Sequence, residues 1–169
     1  MARSFSTISH FDVSARVLFE LYGDTNFQED KAVHMGALSA SATRRELEDG
    51  RVEMTIDMLR PKHGGGGEER ATMTMLLDPR TFGSTWKQMV HGYEDRARVE
   101  GSSTVKAEGE RKCSLTIDGT IEIRIPLLGR MIERKIVDAT FGWSRPTTGA
   151  YFWCPPVERG MLDLRALGL

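Results

Sequence analysis

The chain has 169 residues, 40% of them hydrophobic, and 23 Lys+Arg against 24 Asp+Glu give a formal net charge of −1. That length suits one domain, and the charge balance excludes a basic nucleic-acid binder or a polybasic membrane-surface module, while the hydrophobic content lies above the disordered regime. Two cysteines, Cys113 and Cys154, exclude a disulfide scaffold. No apolar run approaches the ~20 residues of a membrane span, and residues 1–7 lack the apolar core of a signal peptide, so a cytoplasmic chain without membrane insertion is expected.

The segment Arg3–Phe11 reads as an opening strand. Asp12 and Ser14 then offer capping oxygens ahead of a helical stripe, Val13, Val17, Leu18, Leu21 and Tyr22, which Gly23 ends. Thr25 with Gln28 three residues on has the form of a capping box, predicting a short helix over about 26–35, closed by Gly36. From Leu38 the period changes to two: Leu38, Ala40 and Ala42 alternate with serines up to the turn signal Glu48-Asp49-Gly50. Val52, Met54, Ile56 and Met58 alternate with Glu53, Thr55 and Asp57, as a strand with one wet and one buried face does. After Pro61 the run Gly64–Gly67 reads as a connecting loop, and Ala71, Met73, Met75 and Leu77 alternate with threonines in the next strand. Residues 84–107 hold two further strands joined around Gly92 or Glu94-Asp95.

The run Cys113, Leu115, Ile117, Ile121, Ile123, Ile125 keeps one odd phase across Asp118-Gly119. A two-residue hairpin there would switch the apolar phase, so one long strand is predicted, with Gly119 as a flat or bent point and Pro126 as its end. Met131, Ile132, Ile136 and Val137 form a final amphipathic stripe beginning near Arg130. Gly142, Pro146, Gly149, Pro155 and Pro156 interrupt the C-terminal stretch, where Trp143, Tyr151, Phe152 and Trp153 also lie. A domain over residues 1–141 and an atypical tail over 142–169 are the expected organisation. The fold class is α+β: a curved antiparallel sheet of six or seven strands, two short helices after the first strand, and a closing helix packed across the sheet, the helix-grip arrangement.

Two segments carry a family resemblance. Ile123-Arg124-Ile125-Pro126-Leu127-Leu128-Gly129-Arg130-Met131-Ile132-Glu133 resembles the strand, Ile-Pro-Leu-Val-Gly, Lys-Ile-Glu signature of an uncharacterised START-like branch of the Bet v 1-like superfamily of polyketide cyclases and lipid-transfer domains. Asp12-Val13-Ser14-Ala15-Arg16-Val17 is similar to the superfamily's lead-in to its first helix, with Ser14 in place of the usual proline. The resemblance spans about residues 3–139. It implies a ligand space between sheet and closing helix, roofed by a long unbroken helix that the glycines and prolines after residue 141 would interrupt here.

Candidate chemistry is sparse. His10, His34, His63 and His91 show no metal-ligand spacing, so no metal is expected. His91, beside Gly92-Tyr93-Glu94-Asp95, would serve as a general base only if it faced inward; a polar strand end is the simpler reading. Cys113 reads as a small core residue, and no serine or cysteine sits in a nucleophile motif. Glu133 matches the acidic position of the signature but also suits a helix N-terminus. Met54, Met58, Met73 and Met75 share one phase on neighbouring strands, either as core filler or as a plastic wall for a guest. The favoured function is therefore non-catalytic binding of a hydrophobic small molecule, with no cofactor and no catalytic residue. The expected cavity lining is Met54, Ile56, Met58, Met73, Met75, Ile123, Ile132 and Ile136. The alternatives are a polyketide cyclase- or dehydratase-like enzyme and a cavity-less interaction module using the aromatic tail.

Overall fold

The computed structural model describes residues 2–61 and 67–124. The glycine-run connection falls largely on 62–66. The end of the long strand at Pro126, the closing helix with Ile132, Glu133 and Ile136, and the 142–169 tail lie outside the described residues.

The elements follow in the order β1 (Arg3–Phe11), α1 (Ala15–Tyr22), α2 (Thr25–His34), β2 (Ser39–Glu46), β3 (Val52–Pro61), β4 (Glu68–Asp78), β5 (Gly83–Val90), β6 (Ala97–Gly109) and β7 (Lys112–Ile123). The seven strands form one antiparallel sheet in the order β1-β7-β6-β5-β4-β3-β2. Successive strands from β2 to β7 pair with their chain neighbours through hairpins. Only β1 travels, pairing with β7 because the two helices separate it from β2. As the unswitched phase requires, β7 runs unbroken through Asp118-Gly119, and Gly119 pairs with Phe5 on one side and Gly101 on the other. The hairpin preference of Asp-Gly is overridden because a turn there would have sent Ile121 and Ile123 to the wet face.

Ser14 caps α1, its hydroxyl accepting from the Val17 N–H at 3.3 Å, with the cap residue at φ −68°. That φ is the value a proline ring would impose, and serine at this position adds a cap, a feature contributing about 1 kcal/mol. The buried stripe of α1 is Ala15, Leu18, Phe19 and Tyr22, rotated from the expected one. Val17 and Leu21 are only half-buried, because the sheet draws in Phe19, whose ring lies 5.3 Å from that of Phe82. Phe82 holds a positive φ of 52° to place that ring.

For α2 the expected capping box is corrected. Asp24, not Thr25, is the cap, accepting from the Phe27 N–H at 2.7 Å, and Thr25 is the first helical residue. Gln28 is freed from the capping role and fully buried, where its Nε2 donates to the Tyr22 carbonyl at 2.8 Å and ties α2 to the end of α1. Gly36, at φ +99°, closes the helix as expected. Leu38 lies outside β2 and is exposed rather than inward, since the strand begins at Ser39.

Cross-strand register divides the sheet into two faces. The helix-bearing face carries Phe5, Met54, Ile56, Met73, Met75, Trp86, Val105, Cys113, Leu115 and Ile117, which with α1 make the core. The other face carries Ser4, Ser6, Thr55, Thr74, Lys87, Glu100, Ser102 and Thr120, side by side on adjoining strands.

Candidate functional site

Six of the eight residues expected to line a ligand space are described, and all six lie on the core face. Met54 pairs with Met75, Ile56 with Met73, and Met58 with Ala71 across β3 and β4. Ile123 sits at the far side of the sheet, opposite Ala97. Met54 and Met75 are fully buried, Met73 and Ile123 nearly so, and Met58 is half-buried. The alternation of each strand places them there, because a period of two sends every second side chain to one face. The three thioethers at 54, 73 and 75 belong to the one buried core cluster that also takes in the inner residues of α1.

A feature that no strand reveals by itself lies beside them. Phe5, Gly119, Gly101 and Trp86 occupy one row across β1, β7, β6 and β5. The Phe5 and Trp86 rings lean over the two glycines, 6.2 Å apart and 28° from parallel. A Cβ on Gly119 would lie 2.3 Å from Phe5 Cζ, and one on Gly101 would lie 2.6 Å from Trp86 Cζ2 and 2.1 Å from the Asp118 carbonyl. The glycines thus provide the hollow that the rings fill, and the sheet bends where side chains are missing. The available signal was an isolated glycine in each of two strand patterns, but the partners follow only from register.

Fully buried polar side chains on the core face of the sheet are few among the described residues. Ser84 and Ser103 are buried beside the glycine row, and Ser103 Oγ has no hydrogen-bond partner among the described residues. Arg60 and Glu69 pair at the β3–β4 end, Nη2 to Oε1 at 3.1 Å, both largely buried. Burial pushes the Cys113 thiol up, with the Glu108 charge adding to it, so the residue is an inert core group as expected.

His91 does not face inward. Its ring lies on the outer face, with Nε2 at 3.0 Å from Thr72 Oγ1, while Thr72 donates to Asp57 at 2.6 Å, and Nδ1 lies 3.8 Å from Glu94. The condition under which it would act as a base toward an inner guest is therefore not met: the β5–β6 turn, shaped by Gly92 at φ +84°, carries it past the sheet's rim. Among the described residues no cluster of His, Cys, Asp or Glu can hold a metal ion. No helix among them is long and apolar enough to cross a membrane.

An open groove of about 930 Å³ also lies on the outer face, with Ser4, Thr74, Lys87, Glu100, Ser102 and Thr120 among its lining residues. Phe5, Leu76, Trp86, Gly101 and Gly119 line it as well, so its surface is mostly apolar, and it lies on the side of the sheet opposite the methionines.

Residues 68–140 match a family described as a protein of unknown function, DUF2505. No curated protein matches the chain. Solved structures resemble it in shape more than in sequence. A protein from Thermus thermophilus is 16% identical with a TM-score of 0.59, covering 81% of this chain and 85% of its own. The Zhui aromatase/cyclase from Streptomyces sp. R1128 is 13% identical with a TM-score of 0.59, covering 82% and 84%. Norcoclaurine synthase from Thalictrum flavum is 14% identical with a TM-score of 0.58, covering 82% and 86%. One fold is thus shared by an aromatase/cyclase and a norcoclaurine synthase. With its bent seven-stranded antiparallel sheet and paired short helices after the first strand, the chain has the helix-grip fold of the Bet v 1-like and START-like proteins.

Proposed function

We propose that this protein binds an apolar, lipid-like small molecule against the core face of its sheet, without covalent chemistry, as a carrier or sensor in the cytoplasm. One observation supports the reading above the others: the thioethers of Met54, Met58, Met73 and Met75 are gathered on that face in adjoining cross-strand pairs. Methionine side chains turn about three bonds and re-pack around guests of different shape, where β-branched side chains would interlock. The proposed contacts are Met54, Ile56, Met58, Met73, Met75 and Ile123, joined by Ile132 and Ile136 from the segment that follows the last strand. Transfer of apolar ligand surface out of water, worth roughly 25 cal/mol per Å², would supply the affinity. A norcoclaurine synthase of similar fold is known in complex with dopamine and hydroxybenzaldehyde, which is consistent with small organic guests in such a scaffold.

An enzyme of the cyclase kind would need at least two polar groups converging on the guest. The outward placement of His91 removes the histidine that the sequence singled out, which favours the binder. The test is native mass spectrometry of protein purified from cells, together with titration by a fluorescent fatty acid. Retained lipid or saturable uptake is expected. A ligand-free mass combined with no uptake would refute the reading.

A further inference from the structure

The two edges of the sheet are treated differently. At β2 the edge is defended: α2 packs along the strand, the Glu29 carboxylate accepts the Ala42 N–H at 2.7 Å, and Arg44, Arg45 and Glu46 charge its far end. These are the means by which natural sheets keep other chains off an edge: a covering element, an occupied donor and charge.

At the opposite edge no described element covers the strand, and charge is confined to its ends, at Arg3 and His10. β1 runs nine residues in unbroken register against β7, from Arg3 opposite Ile121 to Phe11 opposite Cys113. Its backbone lies beside no described element but β7; only side chains reach further, the Phe5 ring inward to Trp86 and His10 to Glu108 at the strand's end. Between Arg3 and His10 the sequence Ser4-Phe5-Ser6-Thr7-Ile8-Ser9 holds no charge, no proline and no glycine. Ile8 is 62% exposed on the outer face, an apolar side chain in the middle of a regular strand at the rim. A long edge in regular register, uncharged between its ends, is a template for strand addition.

We infer that β1 is the docking edge for a second copy of this chain, adding antiparallel to the partner's β1 about a two-fold axis at Thr7. The strand's sequence is self-complementary in that register. Thr7 meets the partner's Thr7, Ser6 meets the partner's Ile8, Phe5 meets the partner's Ser9, Ser4 meets the partner's His10, and Arg3 meets the partner's Phe11. No like charges oppose one another, and the two exposed isoleucines become diagonal neighbours across the axis, within reach of each other. An isologous contact of this form closes on itself and uses the edge once, so it ends at a dimer with one continuous fourteen-stranded sheet instead of a fibre. The inference is independent of whether the core face holds a ligand.

The test exploits the register. Ser6 and Ile8 are both exposed on the outer face, so substitutions there leave the core untouched. In Ser6→Lys/Ile8→Lys, lysine opposes lysine twice across the axis; in Ser6→Glu/Ile8→Lys, glutamate opposes lysine twice. Sedimentation velocity across the micromolar range is expected to show a wild-type dimer, a double-lysine variant whose dissociation midpoint rises about tenfold or more, and a Glu/Lys variant that dimerises at least as well as wild type. Hydrogen exchange at residues 3–11 should slow as wild-type concentration rises. A wild type that is monomeric throughout overturns the inference, whether its β1 amides exchange freely or are shielded within the one chain. So does a double-lysine variant that dimerises unchanged, which would place the contact elsewhere, or a Glu/Lys variant as monomeric as the double-lysine one.

Discussion

Along β4, Ala71, Met73, Met75 and Leu77 are buried, while Thr72, Thr74 and Leu76, on the same backbone, are half-exposed on the opposite face. The inner face is governed by volume: its side chains touch α1, the neighbouring strands and one another, and a row of two glycines makes room for two aromatic rings. The outer face is governed by solvation, with hydroxyls and paired charges such as Arg98–Glu100 and Arg45–Glu53 standing in water. One strand therefore carries two different tolerances to change, alternating residue by residue.

The hardest break in that contrast should come at the glycine row. Gly101→Ala would drive a Cβ to 2.1 Å from the Asp118 carbonyl, a backbone atom that cannot step aside. We expect a loss of about 3 kcal/mol or more by chemical denaturation. Gly119→Ala meets chiefly the Phe5 ring, so it should cost less, and Phe5→Leu in the same chain should recover part of the loss. A double-mutant cycle with no coupling between positions 5 and 119 would contradict the ring-over-glycine account.

Neighbouring positions sharpen the comparison. Met75→Ala, deleting a fully buried thioether, should cost about 2–4 kcal/mol. Thr74→Ala, one residue away on the outer face, should stay within about 0.5 kcal/mol. Equal effects at the two positions would mean that the faces are not divided as described.

The smallest effect is expected at the outer rim. The His10 hydrogen bond, followed by that of Ser114, holds the Glu108 carboxyl below the usual carboxylate range. A carboxyl lowered in the folded state stabilises at pH above its unfolded value and loses that contribution as pH falls through its folded one. Glu108→Gln should therefore lower the melting temperature slightly at neutral pH and not at all in strong acid. A difference that persists in acid would show that the charge is not what matters there.

Much of the fold is legible in the residues themselves. The strands and their faces follow from alternation, and the unbroken β7 follows from a phase that refuses to switch at Asp118-Gly119. The methionines' common face is likewise plain from their spacing. What went astray did so where a choice depended on neighbours. Thr25 lost the cap to Asp24 because the chain had already turned at Gly23, and Gln28 was needed under Tyr22. The stripe of α1 rotated toward Phe19 because Phe82, far along the chain, offered a ring to meet it.

The sequence alone determined which side chains share a face, because that depends on the backbone's period of two, a property each strand carries by itself. It also set the helix limits to within a residue or so, since caps and glycines act over a few bonds. The tertiary structure decided the rest. Register across β1, β7, β6 and β5 brings Phe5, Gly119, Gly101 and Trp86 into one row, and strand order puts β1 at an edge that no described element covers while α2 covers β2. Those are relations between segments far apart in the chain, and only their joint packing, with every inner volume to be filled at once, fixes them.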